Sequence, residues 1–159
     1  MKYTDSLKAM LTAALLTLNA GFAVGAESFT IMNSPWKLWK YEDGLCYLSA
    51  SLKNGPKGLE YEIQVTKDDI VLHTVKKKHR KKHRNTEAQI ISGSQSYDLF
   101  FGEKGEWAWL KDQSKYKKAV AALGKTPKID TEFSSVIEFT PHGGAGLGRG
   151  LKLLKSKCK

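Results

Sequence analysis

Cysteine is scarce in this sequence, a second long apolar stretch is missing, and so is any recognisable catalytic constellation. Cys46 and Cys158 are the two cysteines of 159 residues. They stand far apart and outside any CxxC, which argues against a zinc site or a dithiol redox centre. No GxSxG is present to raise a serine nucleophile, and His73 and His142 have no recognisable partners in sequence. "HGGAGLGRG" (142–150) is rich in glycine, but Gly148 is followed by Arg149 and Gly150, not by the Lys-Ser/Thr of a phosphate loop. A dinucleotide fingerprint needs a βαβ unit, which a mostly antiparallel chain lacks. The stretch reads as a flexible connector to a last helix, with Arg149 an incidental attraction for an anion. No internal repeat or linker marks a second domain. These absences point away from an enzyme, and the expectation is a chain with no catalytic residue, no metal and no cofactor.

The N-terminus is informative. Lys2 and Lys8 flank a polar start, "AMLTAALLTLNAGFAV" is apolar apart from Thr12, Thr17 and Asn19, and the small residues of "VGA" precede Glu27. Basic start, apolar middle and small-residue end form the pattern of a secretory signal peptide. The apolar part is too short and interrupted for a membrane span, which takes about 20 residues. Residues 1–26 are therefore expected to be a signal peptide and 27–159 a single β-rich domain, in the periplasm, at the cell surface or secreted. No transmembrane segment is expected after cleavage. An exported chain with two cysteines ordinarily pairs them, so a Cys46–Cys158 disulfide is expected, with two free thiols as the alternative.

Charge is concentrated. The net charge is +10, and "KKKHRKKHR" (76–84) holds seven of the Lys and Arg residues without one acidic or apolar side chain. The remainder of the mature chain is nearly balanced, so the excess is one patch and not a basic fold surface. Lys76, Lys77, Lys78, His79, Arg80, Lys81, Lys82, His83 and Arg84 are the candidate anion-binding residues. Clustered cations bind polyanions by releasing condensed counterions, so lipopolysaccharide, phospholipid head groups and glycosaminoglycans are candidate partners. The run has no aromatic residue to stack on bases, and sequence-specific nucleic-acid recognition is not expected. His79 and His83 stand at i and i+4, but seven cations around them oppose a metal ion. Protonation near pH 6.5 is expected instead, adding charge in mild acid. The alternative is a mobile, solvated hairpin tip between strands 70–75 and 87–92.

Period-two alternation dominates the mature chain. "WKLWKY" (36–41), "LCYLSASL" (45–52), "LEYEIQVT" (59–66), "IVLHTV" (70–75), "EAQIIS" (87–92), "SYDLFF" (96–101), "EWAWL" and "SSVIEFT" (134–140) read as strands, with "EDG" and "KDD" as turns. "DQSKYKKAVAALG" (112–124) reads as a helix capped by Asp112 or Ser114 and stopped by Gly124. "LGRGLKLLKSKC" (147–158) reads as a second, with Leu147, Leu151 and Leu154 on the face that carries Cys158 inward. Trp36, Trp39, Trp107 and Trp109 are expected in the core more than on a carbohydrate platform, although Trp107 and Trp109 share a face. The fold class expected is mainly β: a single-domain β-sandwich or flattened barrel with one mid-chain helix and a C-terminal helix.

The order of segments resembles the invasion-associated locus B family of exported bacterial proteins. The resemblance rests on Trp36, "CYL" at 46–48, "SYDLFF", "EWAWLKD", "YKKAVAALGK", "TEFSSVIEF" and "GLGRGLKLLKSKC", with "AWLKDQSKYKKAVAALG" its most specific part. It spans nearly the whole mature chain in short motifs. It departs at "KKKHRKKHRN" and "TPHGGAGLGRG", which are more basic and richer in glycine than the family pattern. The resemblance implies a periplasmic or cell-surface β-rich protein tied to host interaction and virulence, and no known active site. Two function classes follow: a non-enzymatic envelope or host-interaction protein engaging anionic surfaces through 76–84, and a periplasmic inhibitor or structural envelope protein acting on an unknown protein partner, with the basic run incidental.

Overall fold

Alternating burial along the chain builds ten strands into one antiparallel sheet. The computed structural model describes residues 25–52, 60–125, 127–132, 134–138 and 144–158. The expected signal peptide lies outside them, apart from Gly25 and Ala26. The strands are β1 (Ala26–Thr30), β2 (Lys37–Tyr41), β3 (Cys46–Leu52), β4 (Tyr61–Val65), β5 (Ile70–Thr74), β6 (Glu87–Ser92), β7 (Gln95–Phe101), β8 (Trp107–Leu110), β9 (Lys128–Thr131) and β10 (Ser134–Glu138). The helices are α1 (Lys77–Arg80), α2 (Tyr116–Leu123) and α3 (Leu147–Lys157). The class is mainly β, as expected, with a mid-chain and a C-terminal helix. Alone among the elements, β1, β9 and the short α1 were not anticipated from the sequence.

Spatial order in the sheet is β1-β2-β3-β4-β5-β8-β7-β6-β9-β10, so β1 and β10 are its edges. The first five strands are neighbours in sequence. The next three are not. β6, β7 and β8 form an up-and-down unit, and it is β8 that pairs with β5, with Leu72 opposite Ala108 and His73 opposite Trp107. This is a Greek-key arrangement, whose long connection runs from β5 to β6. That connection, residues 75–86, contains the basic run. It crosses the ends of β8 and β7, roughly 14 Å at the usual strand spacing.

Residues pointing to the inner face form a single core. Tyr61, Ile63 and Val65 of β4 alternate inward with Ile70 and Leu72 of β5 and Leu99 and Phe101 of β7. At about 25 cal/mol per Å² each such side chain contributes roughly 1.5–3 kcal/mol. Two helices close the core. Asp112 caps the 3₁₀ turn Gln113–Lys115 that leads into the first by accepting hydrogen bonds from the Ser114 N–H (3.0 Å) and hydroxyl (2.6 Å), and α2 then buries Ala119, Val120, Ala122 and Leu123. α3 packs on β2 and β3. Its Gly150 permits this: a Cβ there would stand 2.7 Å from the Ile31 side chain and 2.9 Å from that of Leu48. Where the expected connector (142–150) and the expected helix (147–158) overlap, the helix holds from Leu147. Gly148 and Gly150 lie within α3, and the Arg149 guanidinium is tied to the Met32 carbonyl at 2.7 Å. Residues 139–143 lie outside the described residues. Leu147 and Leu154 are buried, and α3 ends on the Cys46–Cys158 disulfide, which links positions 112 residues apart with a Cα–Cα distance of 6.0 Å.

Candidate anion-binding site

The sequence presents 76–84 as uniform; the fold divides it. Lys77–Arg80 makes one helical turn and Lys81–His83 a tighter 3₁₀ turn. A helical repeat sends every third or fourth residue to the same side, and Arg80 and His83 are the pair that meets the sheet. The imidazole of His83 is fully buried. It stacks on Phe101 at 4.8 Å and meets Tyr61 edge-on. Its Nε2 and the Tyr61 hydroxyl share a hydrogen bond of 2.9 Å. The Thr86 hydroxyl donates to the His83 carbonyl at 3.0 Å. Arg80 donates from Nε to the Thr74 carbonyl at 3.2 Å and pairs through Nη1 with Glu106 at 2.8 Å.

The β7–β8 turn completes the seat. Gly105 has φ +62°, and a Cβ on it would collide with the Arg80 carbonyl. The Asn85 N–H donates to the Gly102 carbonyl at 3.4 Å. The alternative of a mobile hairpin tip is thus corrected: the run is a docked crossover, held by Tyr61 and Phe101 on two strands and by Glu106 and the backbone of a turn.

Outward from this seat stand Lys77, Lys78, Lys81, Lys82 and Arg84, all exposed. Lys76 instead pairs with Glu60 at 2.8 Å, and His79 is half-buried. Five exposed cations within eight residues repel one another and find no carboxylate among the described residues, a field that favours polyanions. The histidines do not contribute as expected. Burial, then the neighbouring His79 and Lys82, pushes His83 down to about 4. Burial, then Lys78, Lys82 and Lys76, lowers His79. The expectation that both gain protons near pH 6.5 is therefore overturned, because one is inside the core and the other is surrounded by ammonium groups.

Beside the crossover lies a cluster that sequence reasoning missed. His73 stacks on Trp107 at 3.9 Å with the rings 13° apart, and its Nε2 lies 3.6 Å from the Glu106 carboxylate that also holds Arg80. Burial is the main cause that lowers the His73 pKa, opposed by Glu62 and Glu106. The only sequence signal was that His73 and Trp107 are outward positions of their strands; that β5 and β8 are neighbours was not visible. The tryptophans divide as well. Trp36 is buried in the core, Trp39 and Trp107 are half-buried, and Trp109 is 46% exposed on the outer face. The core assignment fails for Trp109. His142 lies outside the described residues.

Among the described residues no three His, Cys, Asp or Glu side chains gather as a metal site, and no helix is long and apolar enough to cross a membrane. No protein-family model, curated protein or solved structure matches the chain.

Proposed function

We propose that this chain is an exported bacterial envelope or host-interaction protein of the invasion-associated locus B type, without catalytic activity of its own, that binds anionic polymers or lipid head groups through the crossover. The observation that carries this reading is the outward set Lys77, Lys78, Lys81, Lys82 and Arg84 on a crossover held in place by Arg80 and His83. A seated connection presents its charges without the ordering cost that a mobile loop of the same composition incurs on binding. Neutralising about five phosphates makes affinity fall by two to three orders of magnitude between 50 and 200 mM salt.

Heparin or lipopolysaccharide affinity over a salt series is the test, with wild type beside a variant carrying Lys77→Ser, Lys78→Ser, Lys81→Ser and Lys82→Ser. The variant is expected to bind far more weakly and with a shallower salt slope. Unchanged affinity and slope would leave the run a solvated surface, and favour a protein partner contacted elsewhere. Export is checked by the intact mass of periplasmic material, which is expected to begin at or near Glu27.

A further inference from the structure

The outer face of the sheet carries an aromatic surface that neither the core nor the crossover uses. Trp109 of β8 stands directly opposite Phe100 of β7 on one side and Val71 of β5 on the other. Trp109 is 46% and Phe100 40% exposed. The indole does not project away: its Cζ3 lies 3.5 Å from where a Cβ on Gly102 would stand, so the ring leans along the sheet toward the β7–β8 turn. Gly102 is the residue whose carbonyl accepts from Asn85, next to the exposed Arg84. Aromatic face and cationic crossover are therefore contiguous. Trp107, two residues along the strand and stacked on His73, extends the face.

Polar groups frame it. On the β4 side the Gln64 amide donates to Glu62 at 2.7 Å; on the β6–β7 side the Gln89 amide donates to Asp98 at 2.8 Å. Both pairs point to the same face as Trp109 by the register of the strands. Each amide–carboxylate pair keeps a further donor and further acceptors, which is what a sugar hydroxyl, at once donor and acceptor, requires. A bilayer would have to desolvate both pairs to reach the aromatic rings, at a cost of kilocalories. A pyranose ring presents its C–H face to an indole and its hydroxyls to the rim, with no such cost.

We propose that the face built on Trp109 and Phe100 binds the sugar rings of an acidic polysaccharide, whose anionic groups reach the cations of the neighbouring crossover. The inference rests on the polyanion reading above and narrows it from any polyanion to a glycan.

Three probes separate the terms: heparin, which has sugar rings and charge; inorganic polyphosphate, which has charge alone; and phosphatidylglycerol vesicles. The variant is Trp109→Ala with Phe100→Ser, both at exposed positions, checked by thermal melting. Its heparin affinity is expected to fall about tenfold, the scale of two lost ring contacts, with polyphosphate affinity unchanged. Heparin is also expected to perturb the tryptophan fluorescence of the wild type more than that of Trp109→Phe. Unchanged heparin affinity in the double variant, with the four-lysine variant still impaired, would overturn the glycan face and leave the polyanion reading standing. Equal losses on heparin and polyphosphate, or a loss confined to vesicles, would also overturn it. A wild type that binds none of the three probes would sink both readings.

Discussion

Arg80 and His83 belong to the same nine-residue run as Lys77, Lys78, Lys81, Lys82 and Arg84, yet the two sets live in different media. The first pair sits against β4, β5, β7 and the β7–β8 turn, with polar contacts to Tyr61, Thr74 and Glu106. The second set stands in water. Composition is nearly the same on both sides, so what separates them is geometry: the helical turn selects which side chains meet the sheet, and Tyr61, Phe101 and Glu106 supply a reason to stay. A polybasic stretch is thus not by itself a solvated one. Its inward members dock on the sheet and its outward members stay exposed.

That contrast can be tested by substitution, with the disulfide as a yardstick for a restraint outside the crossover. Cys46→Ala, which opens a loop spanning 112 residues, is expected to cost about 4–5 kcal/mol in the chain-entropy picture, read by denaturant unfolding. Next comes acid. The ordinary His83 value of 6.5 falls to about 4 in the fold, so the unfolded chain takes up the proton first. The stability due to neutral His83 is complete above pH 6.5 and drains away as pH falls toward 4, on the order of 3 kcal/mol across that window. Unfolding free energies of wild type and His83→Gln, measured from pH 7 to 4, are expected to converge at the acid end. Parallel curves would show that the imidazole is not held neutral. Arg80→Ala is expected to cost about 1–2 kcal/mol, since it strips a half-buried charge pair and leaves Glu106 without its guanidinium. Smallest of all, the four outward lysines changed together to serine are expected to shift the melting temperature by no more than about 2 °C. A larger drop would place those lysines in the docked half and erase the distinction.

The strands of the first half were legible because each buries one face against a neighbour that follows in sequence. "YEIQV" alternates, "EDG" turns, and β2, β3, β4 and β5 pair in chain order. Both longer helices were legible from the Asp112 cap and from the leucine spacing that brings Cys158 onto Cys46. β1 was not, because in "AESFT" a single large apolar residue, Phe29, offers no period. β9, "KIDT", carries a single large apolar residue, Ile129, and so offers no period either. The order β5-β8-β7-β6 was hidden for a different reason: nothing local distinguishes a strand that pairs with the next from one that pairs with the third along. The site inherits that blindness. The outward cations were readable from composition, whereas the seat of Arg80 and His83, the His73–Trp107 stack and the exposure of Trp109 all depend on β8 lying between β5 and β7.

The same strand order sets a sequence of events for the chain as it folds. Thr74 donates to the Glu106 carbonyl at 2.8 Å, and β5 gains its second neighbour only through Trp107–Leu110. Residues 76–84 therefore emerge long before the turn that seats them exists. Closing that interval is a non-local step of the kind that slows β-rich chains. Until that step is complete the run lacks the contacts to Gly102, Gly105 and Glu106 that seat it in the fold. Cys46 waits longer still, for a partner 112 residues further along.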